Sequence, residues 1–182
     1  DVSNVTDMSG AFVNKNSFNG DITSWDVSNV TNMNSMFNYA KAFNQDLSGW
    51  DVSNVTNMRD MFSSAYAFNQ DLSGWDVSNV TNMGTMFFLA SAFNQDLSGW
   101  DVSSVTSFSS FLSGTSISVA NYDTLLTSWS ALTLQQGITF SNSNLQYCTA
   151  GDARQSIIDT YGWVIEDAGL SADCPNGFDT TV

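Results

Sequence analysis

The octapeptide Asp-Val-Ser-Asn-Val-Thr-Asn-Met begins at Asp26, Asp51 and Asp76, one 25-residue period apart, and no other feature constrains the fold as much. It opens the chain at Asp1 with one letter changed, and it returns at Asp101 as Asp-Val-Ser-Ser-Val-Thr-Ser-Phe. A fixed period of this length predicts a solenoid. Each turn of chain is too small to bury its own apolar face and must stack on its neighbours.

The apolar residues fall in columns through the repeats. Trp25, Trp50, Trp75 and Trp100 form one, Val27, Val52, Val77 and Val102 another, and Phe37, Phe62 and Phe87 a third, with Leu112 continuing it. They are dispersed along the repeat, so they wrap an interior rather than line one helix face. Trp50 and Val52 flank Asp51 in a strand-like alternation within Leu47–Val52. Stacked copies of that segment predict a parallel sheet with strands ~4.8 Å apart. Apolar residues at 58, 61, 62 and 65 have the i, i+3, i+4, i+7 spacing of a short helix over 57–65.

Composition removes several function classes. Eighteen acids face 4 bases, for a net charge of −14. A chain so acidic repels phosphate backbones and anionic membranes. Histidine is absent, which excludes Ser-His and Cys-His catalysis and His-metal sites. No apolar run approaches the ~20 residues of a bilayer span. The chain begins directly on a repeat without a capping unit, the expectation for a mature or excised piece of something longer. Cys148 and Cys174 are the only cysteines. They read as one disulfide of an oxidising compartment, worth roughly 3 kcal/mol in the loop-entropy picture, or as two buried thiols.

The repetition ends near Ser118. Residues 121–130 read as an amphipathic helix with Tyr122, Leu125, Leu126 and Trp129 on one face. Ile138-Thr139-Phe140 reads as a strand, Asp152 as the N-cap of a second helix ending at Gly162, and Trp163-Val164-Ile165 as a further strand. The expected organisation is five repeats over 1–118, a capping segment over 119–174, and a tail or linker over 175–182.

The run Phe-Asn-Gln-Asp-Leu-Ser-Gly-Trp-Asp-Val-Ser-Asn-Val-Thr-Asn-Met-x-x-Met-Phe resembles the surface repeat of the BspA-like leucine-rich-repeat proteins of bacteria. The likeness covers about residues 1–118. The segments 121–141 and 160–169 resemble the closing piece of such arrays in Bacteroidetes-type secreted proteins. Repeat 1 departs from the pattern at Ala11, Lys15 and Gly20, and repeat 5 lacks the Phe-Asn-Gln-Asp turn. The resemblance implies an α/β solenoid: a leucine-rich-repeat-like right-handed coil with a parallel β-sheet and short helices, plus a small α/β cap. It also implies a bacterial cell-surface or secreted protein used in adhesion or protein binding.

Candidate sites follow from the columns. Asp26, Asp51, Asp76 and Asp101 lie between inward Trp and Val residues and are expected on the concave sheet face, beside Ser28, Ser53 and Ser78. Carboxylates ~5 Å apart repel one another, so a cation or basic partner would relieve them; local Asx turns are the alternative. Asp46, Asp71 and Asp96 sit in oxygen-rich turns and are candidate Ca2+ ligands, with turn stabilisation as the alternative. Asn29, Asn54 and Asn79 read as an amide ladder between repeats, and their Asn-Val-Thr triplets are also glycosylation acceptors. The threonine column admits an ice-binding face and the tryptophan column a sugar platform; the Trp phase is that of the core. Catalytic carboxylate pairs break symmetry, whereas these acids repeat identically. The reading is therefore a non-catalytic adhesion or protein-interaction module, binding a protein or glycan of a host or neighbouring cell through the acidic face. Its rival is a rigid structural spacer displaying another domain.

Overall fold

The structure is a computed structural model that describes residues 1–174; the tail expected at 175–182 lies outside the described residues. Successive repeats lie side by side in parallel and exchange backbone hydrogen bonds in a fixed register. The Thr31, Thr56, Thr81 and Thr106 amides each donate to the threonine carbonyl 25 residues earlier, at 2.8–2.9 Å. Two residues on, the Met8, Met33, Met58 and Met83 amides donate forward to the carbonyls of Asn32, Asn57, Asn82 and Ser107, at 2.9–3.0 Å. The result is a single column of parallel bridges, Asp7–Asn32–Asn57–Asn82–Ser107.

That column corrects two expectations. The Leu47–Val52 segment is not a strand. The Trp50 amide donates to Leu47 and the Val55 amide to Val52, so two tight turns flank Asp51. Aspartate side chains bonded to the backbone two residues on close turns of this kind and compete with a strand ladder. The parallel pairing sits at Thr-Asn-Met instead. Nor is 57–65 a helix. The amides of Asp60, Phe62 and Ser64 donate across to Gly84, Met86 and Phe88 of the next repeat, while those of Met61, Ser63 and Ala65 donate three residues back. Half of the donors an α-helix needs are thus engaged with the neighbouring repeat. Asp60 and Ser64 take left-handed φ of 56° and 57°, which no right-handed helix tolerates. An isolated nine-residue helix is in any case marginal.

The same alternation recurs in repeats 1 to 4 and delivers the apolar side chains to one interior. Val52, Val55, Met58, Met61, Phe62, Ala65 and Phe68 are all essentially inaccessible, as are their counterparts in repeat 4. Phe12, Phe37, Phe62 and Phe87 stack at 5.4–5.5 Å with interplanar angles below 10°. Phe18, Phe43, Phe68 and Phe93 form a second stack at 5.8–6.1 Å. Trp50, Trp75 and Trp100 are buried, and each indole N–H donates to a backbone carbonyl of the preceding repeat, Ile22, Leu47 or Leu72, at 3.0–3.3 Å. Those bonds satisfy the one polar atom of an otherwise apolar group.

The regular elements among the described residues lie in the closing segment and form a small mixed α/β unit. Helix α1 spans Val119–Ser130, strand β1 Thr139–Asn142, helix α2 Gly151–Tyr161 and strand β2 Val164–Asp167. The two strands pair in parallel, Phe140 opposite Ile165. Ser118 caps α1 through its hydroxyl. Asp152 does not cap α2, which has no side-chain cap of its own. Asp123 of α1 instead holds the segment that leads into α2, accepting from the Cys148, Thr149 and Ala150 amides at 2.9–3.0 Å. The cysteine pair is a disulfide, Cys148–Cys174, with Cα atoms 5.4 Å apart.

The last repeat meets this unit through altered residues. Phe108 and Phe111 replace methionines, and Leu112 replaces phenylalanine, so the parallel stacks give way to an edge-on contact of Phe108 with Phe140 and tilted contacts of Phe108 with Trp129 and Phe111 with Phe140. Two of the amides that would reach a sixth repeat are met by side chains: Leu112 donates to Asn142 at 2.7 Å and Gly114 to Asn144 at 2.8 Å. Asn142 is completely buried. Replacing it with alanine orphans the Leu112 amide and is expected to cost about 1–3 kcal/mol, seen as a lower urea midpoint with an unchanged slope. Asn144→Ala, at an exposed bond, costs less.

Candidate functional site

The acidic columns are exposed on the turns, and their geometry repeats from unit to unit. Oδ1 of Asp26, Asp51 and Asp76 accepts the backbone amide of Ser28, Ser53 or Ser78 at 3.1 Å, and the same serine's hydroxyl at 2.6–2.7 Å. Asp101 accepts the Ser103 amide at 3.0 Å. Among the described residues no protein donor reaches their Oδ2 atoms. The expected site residues are thus brought together in pairs, Asp with Ser, and the pairs are laid out in a row along the stack.

Asp46, Asp71 and Asp96 do the same in the preceding turn, accepting the Ser48, Ser73 and Ser98 amides at 2.8–2.9 Å. Asp7 and the asparagines at 32, 57 and 82 supply a third turn of this type in their repeats. Among the described residues, no group of three or more Asp, Glu or Cys is placed to hold a metal ion.

Hydrogen bonding sets the ionisation of these acids. The hydroxyl and amide of the serine two residues on hold Asp26, Asp51 and Asp76 below the usual carboxylate range. The amide and hydroxyl of Ser48 and Ser73 do so for Asp46 and Asp71. Repulsion from Asp26 and Asp76 acts against this on Asp51 but is the smaller effect.

The polar columns between repeats are structural. Asn29, Asn54 and Asn79 each donate a side-chain N–H to a serine carbonyl of the preceding repeat at 2.8 Å, the ladder the sequence suggested. The threonine hydroxyls at 31, 56, 81 and 106 point back to the previous threonine carbonyl at 3.0–3.2 Å. A second ladder escaped the sequence reading. Asn19, Asn44 and Asn69 accept the backbone amide of the asparagine one repeat on at 2.9 Å, while Gln45, Gln70 and Gln95 donate to the asparagine carbonyls of the repeat before. The constancy of Asn-Gln before Asp46, Asp71 and Asp96 is the signal for this ladder in the sequence.

In the closing segment Arg154 and Asp167 form a salt bridge at 2.8 Å, with the Asp167 side chain almost fully buried. The Tyr122 hydroxyl donates to the same carboxylate at 2.9 Å. Burial and that negative neighbour push the Tyr122 phenol far above its ordinary range. The group is an internal brace tying α1 and α2 to β2.

The sequence profile of a family described as "Mycoplasma protein of unknown function, DUF285" matches residues 1–88 and again 50–144. Neither the curated proteins nor the solved structures contain a match.

Because the unfolded chain protonates the Asp26, Asp46, Asp51, Asp71 and Asp76 carboxyls first, near pH 4, the stability they confer is complete above about pH 5. It drains away as pH falls through 4 toward their lower folded values. Melting temperature is therefore expected to be flat from pH 7 to 5 and to drop below 4. Changing Asp26, Asp51, Asp76 and Asp101 together to Asn keeps an acceptor in each turn, as asparagines 32, 57 and 82 already show. That variant should fold, and its melting curve should decline less steeply in acid.

Proposed function

We propose, for a chain that belongs to the DUF285 family, the role of a non-catalytic interaction module, secreted or displayed at a cell surface. In this reading the five repeats form a right-handed solenoid closed by the segment from 119 to 174. The observation that carries it is the register. Each repeat bonds to the next through equivalent amides, hydroxyls and carboxamides, so exposed side chains are set out in rows over a surface instead of converging on one cleft. Extended surfaces made this way are what repeat proteins use to bind other macromolecules.

Three further observations support the reading. The Cys148–Cys174 disulfide suits an oxidising, extracellular compartment. No helix among the described residues is long and apolar enough to cross a membrane. The repeat resembles BspA-like adhesive surface proteins. The partner is a protein or glycan of a host or neighbouring cell; a charge of −14 disfavours nucleic acid. The Oδ2 atoms of Asp26, Asp51, Asp76 and Asp101 offer an acidic flank to a basic group or to Ca2+.

The near-identity of repeats 2–4 equally suits a stiff spacer. The two roles separate when the protein is immobilised and titrated with extracellular-matrix proteins and a glycan array. A module gives saturable binding to at least one, and a spacer to none. The fourfold Asp→Asn variant then reads the acidic flank: loss of binding assigns it there, and retention moves it to another face. A melting curve in millimolar Ca2+ against chelator reads ion loading as an upward shift.

A further inference from the structure

We propose that partner binding occurs on the strip of turns at residues 9–16, 34–41, 59–66 and 84–91, and that its occupant is an apolar, carboxylate-bearing segment of a partner protein. The inference rests on the reading of the chain as an interaction module and places the contact away from the acidic columns.

Divergence within the chain points to this strip. Repeats 2, 3 and 4 differ only at positions 34, 35, 38, 39 and 41 and their equivalents one and two repeats on; every other residue is the same. Cross-repeat bonds join these positions, Ser35 to Arg59, Tyr39 to Ser63, and Ser64 to Phe88, at 2.7–2.9 Å, so the differing residues are contiguous on one side of the stack. The framework is held constant while one surface carries different side chains in each unit.

What those side chains are matters more than that they differ. An unconstrained exposed turn would carry polar residues, yet Val13, Tyr39, Tyr66 and Leu89 are 39–43% exposed, four of the six exposed large hydrophobics among the described residues. Phe88 is half-buried beside them. Ser63 and Ser64 form a floor between the Tyr39 and Leu89 repeats, at 5% and 1% exposure, and the Ser64 hydroxyl has no partner. Tyrosine and exposed aliphatic groups around a recessed floor have the composition of a binding hot spot.

Backbone conformation adds a separate reason. Tyr39 and Leu89 occupy a column that is left-handed in every repeat, with φ of 57° and 58°. Asn14 and Gly114, which tolerate that conformation, fill it elsewhere. Bulky side chains there are unfavourable for folding alone. Such outliers gather at functional surfaces.

Charge selects the occupant. Lys15, Lys41 and Arg59, three of the chain's four bases, lie in this strip against one acid, Asp60, which pairs with Arg59 at 3.2 Å. The fourth base, Arg154, is held by Asp167. Lys41 sits 5.6 Å from the Tyr66 ring, an apolar and cationic pair in one place. On a molecule that is acidic everywhere else, this is where a carboxylate beside an apolar group is met by both.

The test uses the whole chain and a displayed library of random peptides. Enriched peptides are measured individually against three proteins: the parent, the fourfold Asp→Asn variant, and a strip variant carrying Tyr39→Ser, Lys41→Ser, Tyr66→Ser and Leu89→Ser. Serine already occupies both columns, at Ser64 and Ser91. The expected peptides join Asp or Glu to apolar residues, weaken by roughly tenfold or more on the strip variant, and are unaffected by Asp→Asn. The strip variant should melt within about 2–4 °C of the parent or above it. Basic peptides lost only with Asp→Asn, or peptides indifferent to the strip, overturn this inference and leave the interaction reading standing. A much lower melting temperature overturns it as well, making these residues part of the fold. So does glycan binding, or concentration-dependent dimerisation, that the strip variant abolishes. If the parent binds no peptide, protein or glycan, both readings fall.

Discussion

Everything in the repeats depends on one exchange: half of the backbone amides in each turn strip bond to the next repeat instead of to their own. Met58, Asp60, Phe62 and Ser64 give their N–H groups to the following repeat at 2.7–3.0 Å, while Met61, Ser63 and Ala65 bond three back. A single repeat therefore cannot satisfy its own backbone, and its apolar columns have nothing to pack on. Stability arises at the junctions between units, as expected when each repeat contacts only its neighbours. The phenylalanine stacks act at the same junctions. Ring pairs of this kind add about 0.5–1.5 kcal/mol beyond the area they bury, and both stacks hold their spacing from repeat 1 to repeat 4.

A structure stabilised at junctions must deal with its last one. Here the closing segment reproduces the bonds of a repeat with different chemistry. Asn121 donates to Asn94 at 3.1 Å, as Gln95 does to Asn69. Gln135 donates to the Ser103 carbonyl at 2.8 Å, the bond Asn79 makes to Ser53. Asn142 and Asn144 supply the acceptors that a further backbone would have offered. A helix and a two-stranded sheet can end the array because carboxamides on irregular backbone stand in for the ladder. The disulfide and the Arg154–Asp167–Tyr122 brace then tie the parts of that segment to one another.

The sequence was legible where side chains alone decide position. The Trp, Val and Phe columns, the asparagine ladder at 29, 54 and 79 and both closing helices follow from periodicity and residue type. Local backbone was not legible. The spacing of Met58, Met61, Phe62 and Ala65 is helical because each of them faces inward. The same spacing is met by a chain of turns with left-handed residues at 60 and 64. Hydrophobic periodicity reports which side chains are buried and is blind to where the amides go. Likewise, alternation around Asp51 placed its carboxylate outward, which the structure has, but on a sheet that the flanking turns prevent. At the acidic columns the choice between a site and a turn was a question of hydrogen-bond partners. The Ser28, Ser53 and Ser78 hydroxyls occupy Oδ1 in each case.

Constraint is accordingly uneven across one repeat. The Asp, Asn, Gln and Thr columns are constrained because each closes a turn or bridges to a neighbour, and a change in an Asn, Gln or Thr column breaks a bond to the adjoining unit. The positions at 34, 35, 38, 39 and 41 and their equivalents carry no side-chain bond that every unit requires. Sequence can change there without disturbing the junctions, and only there could one unit come to differ from another while the array stays intact. Polar and small residues satisfy that freedom at Asn38 and Ser91; Tyr39, Tyr66 and Leu89 exceed it. The division between a fixed framework and a free strip follows directly from building an array through its backbone, because a backbone ladder leaves most outward side chains without structural duty.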